Sequence, residues 1–204
     1  MIIKVCGMRE ESNIREVEQL DIDWMGFIFY PPSARYVGEK LSYLPQKVKR
    51  VGVFVNEEQK IVRERALQNR LQIIQLHGEE SPAYCRELRE DGFTVLKSFG
   101  MERDKPFPLA EVARYRDCCD YFLFDAKSPI YGGSGNKYNW EVLSGYDGET
   151  PFLLSGGISP DDAERIKAFS HPQLMGIDVN SGFEISPASK DIALLKTFIN
   201  TIRS

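Results

Sequence analysis

Histidine is scarce in this chain: His77 and His171 are the only two in 204 residues, so a histidine-rich metal site is excluded. The four cysteines, Cys6, Cys85, Cys118 and Cys119, form neither a CxxC pair nor a recognisable metal pattern. Adjacent Cys118 and Cys119 read as structural rather than as a redox device. An excess of basic charge is also missing, with 26 Lys and Arg against 30 Asp and Glu and a net charge of −4. That balance lacks the footprint of many nucleic-acid binders, although it leaves room for a local cationic site. The opening MIIKVCGMREE carries Lys4 inside its apolar segment and reads neither as a signal peptide nor as a membrane span, so the expected location is cytoplasmic. GGSG at 132–135 does not satisfy a P-loop pattern, which makes nucleotide hydrolysis a poor reading. With no internal repeat and no Pro/Gly/Ser-rich linker, residues 1–204 read as one domain, and 42% hydrophobic composition suffices for its core.

What the chain does contain is a recurring plan of short apolar runs followed by polar loops. Residues 2–6, 25–29, 51–55, 71–76, a run starting at 93–96, 121–124, 152–154 and 174–179 read as buried strands. Helical patterns lie between most of them. Ser12 or Asn13 is the expected start of the first, Asn56 the expected cap of the second, and Ser81-Pro82 opens the third. Residues 109–115 and 140–143 are further helical candidates. In SGGISPDDAERI, Ser159 caps, Pro160 takes the first helical position and Asp162 completes a weak capping box. In the last helix Ile192, Leu195, Phe198, Ile199 and Ile202 form an apolar stripe, with Lys190, Lys196 and Asn200 expected in water. Eight strand-like and up to eight helix-like elements imply an α/β fold with a parallel sheet joined by helical crossovers. The element count favours closure into a barrel, with an open doubly wound sheet as the alternative.

The stretch YFLFDAKSPIYGGSG at 121–135 is the focus of the chemistry. Its apolar run ends at Asp125, followed by a loop in which Gly132, Gly133 and Gly135 leave backbone amides accessible to an anion. In a barrel, ligands sit at the carboxyl ends of the strands, and Cys6, Arg35, His77, Asp125, Gly156, Gly157, Asp178, Ser181 and Gly182 all fall there or in the following loops. A thiol beside cations can work as a base, and a carboxyl group withdrawn from water as an acid. Arg35 has the planar fork that suits a substrate carboxylate, or makes a surface or loop salt bridge. His77 either orients the site or is a satisfied structural histidine; Asp178 binds sugar hydroxyls or fixes its own loop. The pairs Gly156-Gly157 and Ser181-Gly182 can offer amides to phosphate after the seventh and eighth strands.

These motifs, in order, closely resemble one family. KVCG at 4–7, SAR at 33–35, VGVF at 51–54, QLHG at 75–78, FD at 124–125, GGSG at 132–135, LSGGI at 154–158 and GIDVNSGFE at 176–184 resemble the phosphoribosylanthranilate isomerases of tryptophan biosynthesis over nearly the whole chain. The resemblance implies a compact eight-stranded (β/α)8 TIM barrel that needs neither cofactor nor metal. It implies an Amadori rearrangement of N-(5-phosphoribosyl)anthranilate to 1-(2-carboxyphenylamino)-1-deoxyribulose 5-phosphate. By the same analogy Cys6 is the general base, Asp125 the general acid and Arg35 the clamp for the anthranilate carboxylate, while Gly156, Gly157, Ser181 and Gly182 contact phosphate. The chain departs from the family pattern at Ser134, where threonine is frequent, at Asn139 within Tyr138-Asn139-Trp140, and at Ala188 within SPASKD, where glycine is common. Competing readings are another barrel isomerase or lyase for a phosphorylated small molecule, and a binding protein without turnover. The expected partner is that small molecule rather than nucleic acid or membrane, and the chain is open to being a monomer or a homodimer.

Overall fold

The structure, a computed structural model, describes residues 1–103, 105–127 and 138–204. Eight parallel strands close into a barrel in sequence order: β1 (Ile2–Val5), β2 (Trp24–Ile28), β3 (Lys49–Phe54), β4 (Ile73–Leu76), β5 (Thr94–Met101), β6 (Tyr121–Ala126), β7 (Phe152–Leu154) and β8 (Leu174–Val179). β8 pairs back onto β1 through Ile2↔Gly176 to Val5↔Val179. The open-sheet alternative is thereby excluded. Parallel neighbours need crossovers, supplied by α1 (Glu11–Val17), α2 (Gln59–Gln68), α3 (Pro82–Glu90), α4 (Leu109–Ala113) and α5 (Ala163–Ala168), with α6 (Ile192–Arg203) after the last strand. The β2–β3 crossover, residues 29–48, has no helix, since Pro31, Pro32, Gly38 and Pro45 interrupt it. Before β7 the helical candidate is a 3-10 helix, Trp140–Gly145. No helix among the described residues is long and apolar enough to cross a membrane.

Alternation within each strand sorts side chains between two environments. In β6, Phe122 and Phe124 face the helices and Leu123 and Asp125 face the barrel interior. Phe124 is fixed by Phe152 at 4.9 Å and Phe107 at 5.2 Å between ring centroids, and Tyr138 Oη donates to its carbonyl at 3.1 Å. The acid that follows it therefore stands on an anchored strand. Inside the barrel, Trp24, Val51, Ile73, Leu96, Leu123 and Leu153, one from each of β2 to β7, make a separate apolar layer at the amino-terminal end.

Several local expectations needed correction. The first helix starts at Glu11 rather than at Ser12 or Asn13. Asn13 is buried instead, its side chain exchanging two hydrogen bonds with the Lys190 backbone, 3.0 and 2.8 Å. Asn56 does not cap α2, whose N-cap is Glu58. It adopts φ 51°, and its side-chain oxygen accepts from Glu79 N at 2.6 Å, tying the loop after β3 to the loop after β4. Ser81 and Pro82 do open α3, and Asp162 closes the box on Ser159 at 2.8 Å.

Candidate active site

The upper interior of the barrel is largely polar. Two residues above Ile73, Leu96, Leu123 and Leu153 stand Gln75, Ser98, Asp125 and Ser155, while Val53 above Val51 stays apolar beside Cys6, and all face Asp178 of β8 across a cleft of about 780 Å³ at the carboxyl ends of the strands. Of the residues singled out from the sequence, Cys6, His77, Asp125, Gly156, Gly157, Asp178 and Ser181 line this one cleft. Arg35 and Gly182 do not line it, and Gly133, with the Ser134 departure, lies outside the described residues.

Cys6 follows β1 and is 4% exposed. A Cβ on Gly26 of β2 would lie 2.7 Å from its sulfur, so glycine there is what admits the thiol into the interior. Burial pushes the thiol upward from its ordinary range, opposed by the ammonium of Lys4 and, more weakly, by Lys190. Lys4 lies two residues earlier on the same strand face, fully buried, with Nζ 2.8 Å from Asp178 Oδ1. The β1–β8 register sets these two directly opposite each other. Asp178 therefore reaches the cleft with one oxygen already held.

Asp125 is pushed up to about 6, chiefly by burial, against hydrogen bonds from Ser155 and the Ala126 N–H at 2.9 Å. It is thus a carboxyl group that changes protonation near neutrality. His77 moves the other way, down to about 4, because it is buried near Lys97 and Lys4. Its Nε2 is 3.5 Å from Asp125 Oδ2. Neutral imidazole and partly protonated carboxyl do not form an ion pair here. The Gln75 amide nitrogen lies 3.0 Å from His77 Nδ1 and 3.1 Å from Ser98 Oγ, bracing the ring from below.

Arg35 sits beside the site in a different setting. Its Nε and Nη2 bind both oxygens of Glu184, the shortest contact being 2.6 Å, and its side chain is nearly buried. Gly7, at φ 77°, allows this approach: a Cβ there would lie 2.7 Å from Arg35 Cδ and 2.6 Å from Asn180 Oδ1. Glu184 also accepts from Lys190 Nζ at 2.6 Å, and Lys190 reaches Asn180 at 2.7 Å. Lys190, expected in water, is fully buried. It belongs to β10 (Ser189–Lys190), which pairs antiparallel with β9 (Glu184–Ser186), so its position follows strand pairing and not the α6 stripe. The turn between them keeps left-handed geometry despite the missing glycine, with Ala188 at φ 69° and buried. The Asn139 departure is likewise accommodated, its side chain accepting from Glu141 N at 3.2 Å to cap the 3-10 helix.

Gly156 and Gly157, at φ 93° and 68°, turn the chain after β7 into conformations that L-residues rarely take. A Cβ on Gly156 would lie 2.4 Å from Ala126 N, and one on Gly182 2.3 Å from the Ile158 carbonyl. The two loops thus pack backbone to backbone. Among the described residues, the N–H groups of Gly156, Gly157 and Ser181 donate to no protein acceptor, which leaves them available to an anion.

Sequence reading missed Lys4, Gln75, Ser98, Ser155 and Glu184. For Lys4 and Gln75 a signal existed: a polar residue within an apolar strand, in phase with a site residue two positions on, has to face the same interior. Glu184 carried no such signal, since only the hairpin brings it to Arg35.

Comparison with known proteins agrees with this fold. Residues 3–201 match the family model described as N-(5'phosphoribosyl)anthranilate (PRA) isomerase. A curated protein of that name from Phocaeicola vulgatus is 50% identical over 203 residues, covering 100% of this chain and 98% of its own. The crystal structure of phosphoribosyl anthranilate isomerase from Thermotoga maritima superposes with a TM-score of 0.83 at 33% identity, covering 100% of this chain and 99% of that one. A crystal structure of the same enzyme in complex with reduced 1-(o-carboxyphenylamino)-1-deoxyribulose 5-phosphate has a TM-score of 0.80 at 30% identity, covering 100% and 99%. With its fold and nearly its whole length in common with these proteins, the chain belongs to the N-(5'-phosphoribosyl)anthranilate isomerase family.

Proposed function

We propose that this chain isomerises N-(5-phosphoribosyl)anthranilate to 1-(2-carboxyphenylamino)-1-deoxyribulose 5-phosphate, the step its family carries out in tryptophan biosynthesis, with Asp125 as acid and Cys6 as base. The observation that carries the reading is the pair itself: a carboxyl group titrating near 6 and a buried thiol beside an ammonium, lining one cleft at the ends of β6 and β1. Asp125 gives its proton to the ribose ring oxygen as the C1–O bond breaks, and the substrate nitrogen's lone pair forms a C1 iminium. That cation acidifies the C2 hydrogen. The Cys6 thiolate takes this proton, the C2–H electrons form a C1=C2 bond, and the iminium π pair returns to nitrogen. Return of a proton to C1 and loss of the enol proton yield the aminoketone. The nitrogen serves as electron sink, so the sequence balances as an isomerisation with no redox change.

The remaining contacts follow from charge. The Gly156, Gly157 and Ser181 amides suit the phosphate, with Gly182 shaping the second loop and Gly133 expected from the third. Asp178, through the oxygen that Lys4 leaves, suits a sugar hydroxyl, and His77 braces Asp125. Arg35 retains the N–H groups of Nη1 after Glu184 has taken Nε and Nη2, and these suit the anthranilate carboxylate. All these residues come from one chain, so a monomer and a homodimer would carry the same site. One domain over residues 1–204, working in the cytoplasm on a small phosphorylated molecule, fits the composition and charge.

The test is a coupled assay in which phosphoribosylanthranilate is generated in place and loss of its fluorescence is followed with purified protein. Enzyme-dependent conversion to the deoxyribulose phosphate is expected. No conversion by folded protein, with a working control enzyme, would turn the reading toward another substrate or a binding protein.

A further inference from the structure

Lys4 is a lysine with no exposed surface in the interior of a barrel, in register with Trp24 of the apolar lower layer. Such an ammonium is costly to bury, and one carboxylate relieves only part of that cost. An apolar pair of the same volume would fill the layer more cheaply. Two geometric facts suggest what the cation is for. Asp178 engages one of its three N–H donors, at 2.8 Å. Lys4 and Cys6 are also two residues apart on one extended segment, so both side chains project inward from the same strand face.

We propose that Lys4 is a positioning residue for the isomerisation: its buried ammonium is the counter-charge that lets the Cys6 sulfur exist as a thiolate inside the cleft. The inference rests on the reading of Cys6 as the base. The charged groups that act on Cys6 are Lys4 of β1, Asp178 of β8, Lys190 of β10 and Arg35 from the loop after β2, while β2 and β3 present Gly26, Ile28 and Val53, with the Tyr30 phenol ring packed against that cluster. Lys4 leads those favouring the thiolate, ahead of Lys190, and Asp178 opposes it. Arg35 and Lys190 share Glu184, much as Lys4 is paired with Asp178, but only Lys4 stands on the strand that runs into the sulfur, two residues away and on the same face.

A specific signature follows. The productive pairing is thiolate with carboxylic acid, yet Asp125 is the stronger acid of the two, so free protein mostly holds the reverse pairing. kcat/KM is then a bell, with an acidic limb set by Asp125 and a basic limb set by Cys6. Each unit by which the thiol rises moves the basic limb alkaline and lowers the plateau about tenfold. A defect of packing alone does not couple those two changes.

The experiment follows alkylation of Cys6 by iodoacetamide against pH in the full chain, read at the Cys6 peptide by mass spectrometry, alongside kcat/KM profiles. Lys4→Met is expected to alkylate about tenfold more slowly or worse near neutral pH, with a plateau lowered by the same factor. Its basic limb moves alkaline and its acidic limb stays near pH 6, since Lys4 is the last of the influences on Asp125. Lys4→Arg keeps the charge and the native profile. Asp178→Asn shifts alkylation the opposite way. Should Lys4→Met fail to fold, Lys4→Met with Asp178→Asn removes both charges and is expected to alkylate more slowly than native, because the lysine outweighs the aspartate. A native alkylation profile in folded Lys4→Met protein overturns the proposal. Undiminished turnover in Cys6→Ala would instead remove the base reading, whatever the alkylation result, so the two failures are told apart.

Discussion

The lower and upper halves of the barrel interior are built on the same strands with the same two-residue alternation, yet they are opposites in chemistry. Val51, Ile73, Leu96, Leu123 and Leu153 fill the lower half with aliphatic volume. Two positions on from the last four of these, Gln75, Ser98, Asp125 and Ser155 line the upper half, with Val53 above Val51 as the apolar exception, and the buried Lys4–Asp178 pair joins it from β1 and β8. The lower half gains stability from each methylene it buries. The upper half gives some up, since it keeps Asp125 and Cys6 where burial disfavours their charged forms. One half holds the barrel closed so that the other can hold reactive groups apart from water.

The comparison predicts a double dissociation. Cys6→Ala and Asp125→Asn should each lower kcat by about 100- to 10,000-fold, the span of a lost general acid or base, with the fold retained by circular dichroism. Leu123→Ala, two residues below the acid, should do the reverse. Denaturant unfolding should show a loss of about 2–5 kcal/mol from the cavity, while the folded fraction turns over at close to the native rate. Equal loss of turnover in both would collapse the distinction between the halves.

Asp125 sharpens it further. Its folded pKa, about 6, lies above the ordinary 3.8, so its stability contribution is full below the unfolded value and is lost as pH rises through about 6. At about pH 8, Asp125→Asn should therefore be more stable than the native chain by about 1–3 kcal/mol, and that gain should disappear on acidification to about pH 4. His77, depressed to about 4, works in the opposite sense, losing stability as pH falls through that value. The two offset each other in the native chain between about pH 4 and 6, and in Asp125→Asn the histidine slope should lose that opposition, so that stability falls more steeply with acidification than in the native chain in the same denaturation series. The smallest effect concerns the hairpin: Ala188→Gly, relieving a residue at φ 69°, should change stability by about 1 kcal/mol or less in the favourable direction, with kcat unchanged.

Much of this architecture was legible before any coordinates. The alternation in YFLFDA contains both halves of the interior in miniature, and the glycines after β7 marked a backbone open to anions. Other features were not legible, for identifiable reasons. Lys190 read as a solvated neighbour of α6, because nothing local announces a two-residue strand that pairs with Glu184. Arg35 read as a carboxylate clamp or as one half of a salt bridge, and the identity of the bridging carboxylate was not legible, because Glu184 is 149 residues away in sequence. Asn56 has the side chain of a helix cap, but its left-handed backbone and the Glu79 amide claimed it for a loop-to-loop tie.

By itself the sequence determined what depends on neighbours along the chain: the order of the strands, which face of each is apolar, where helices begin at Ser81 and Ser159, and the motifs that mark the family. Tertiary structure decided what depends on closure. Only when β8 meets β1 does Asp178 come to face Lys4, and only then does the thiol two residues on acquire its charged surroundings. Coulomb energy and desolvation depend on distances through space, and the separation in sequence between residues 4 and 178 carries no information about either.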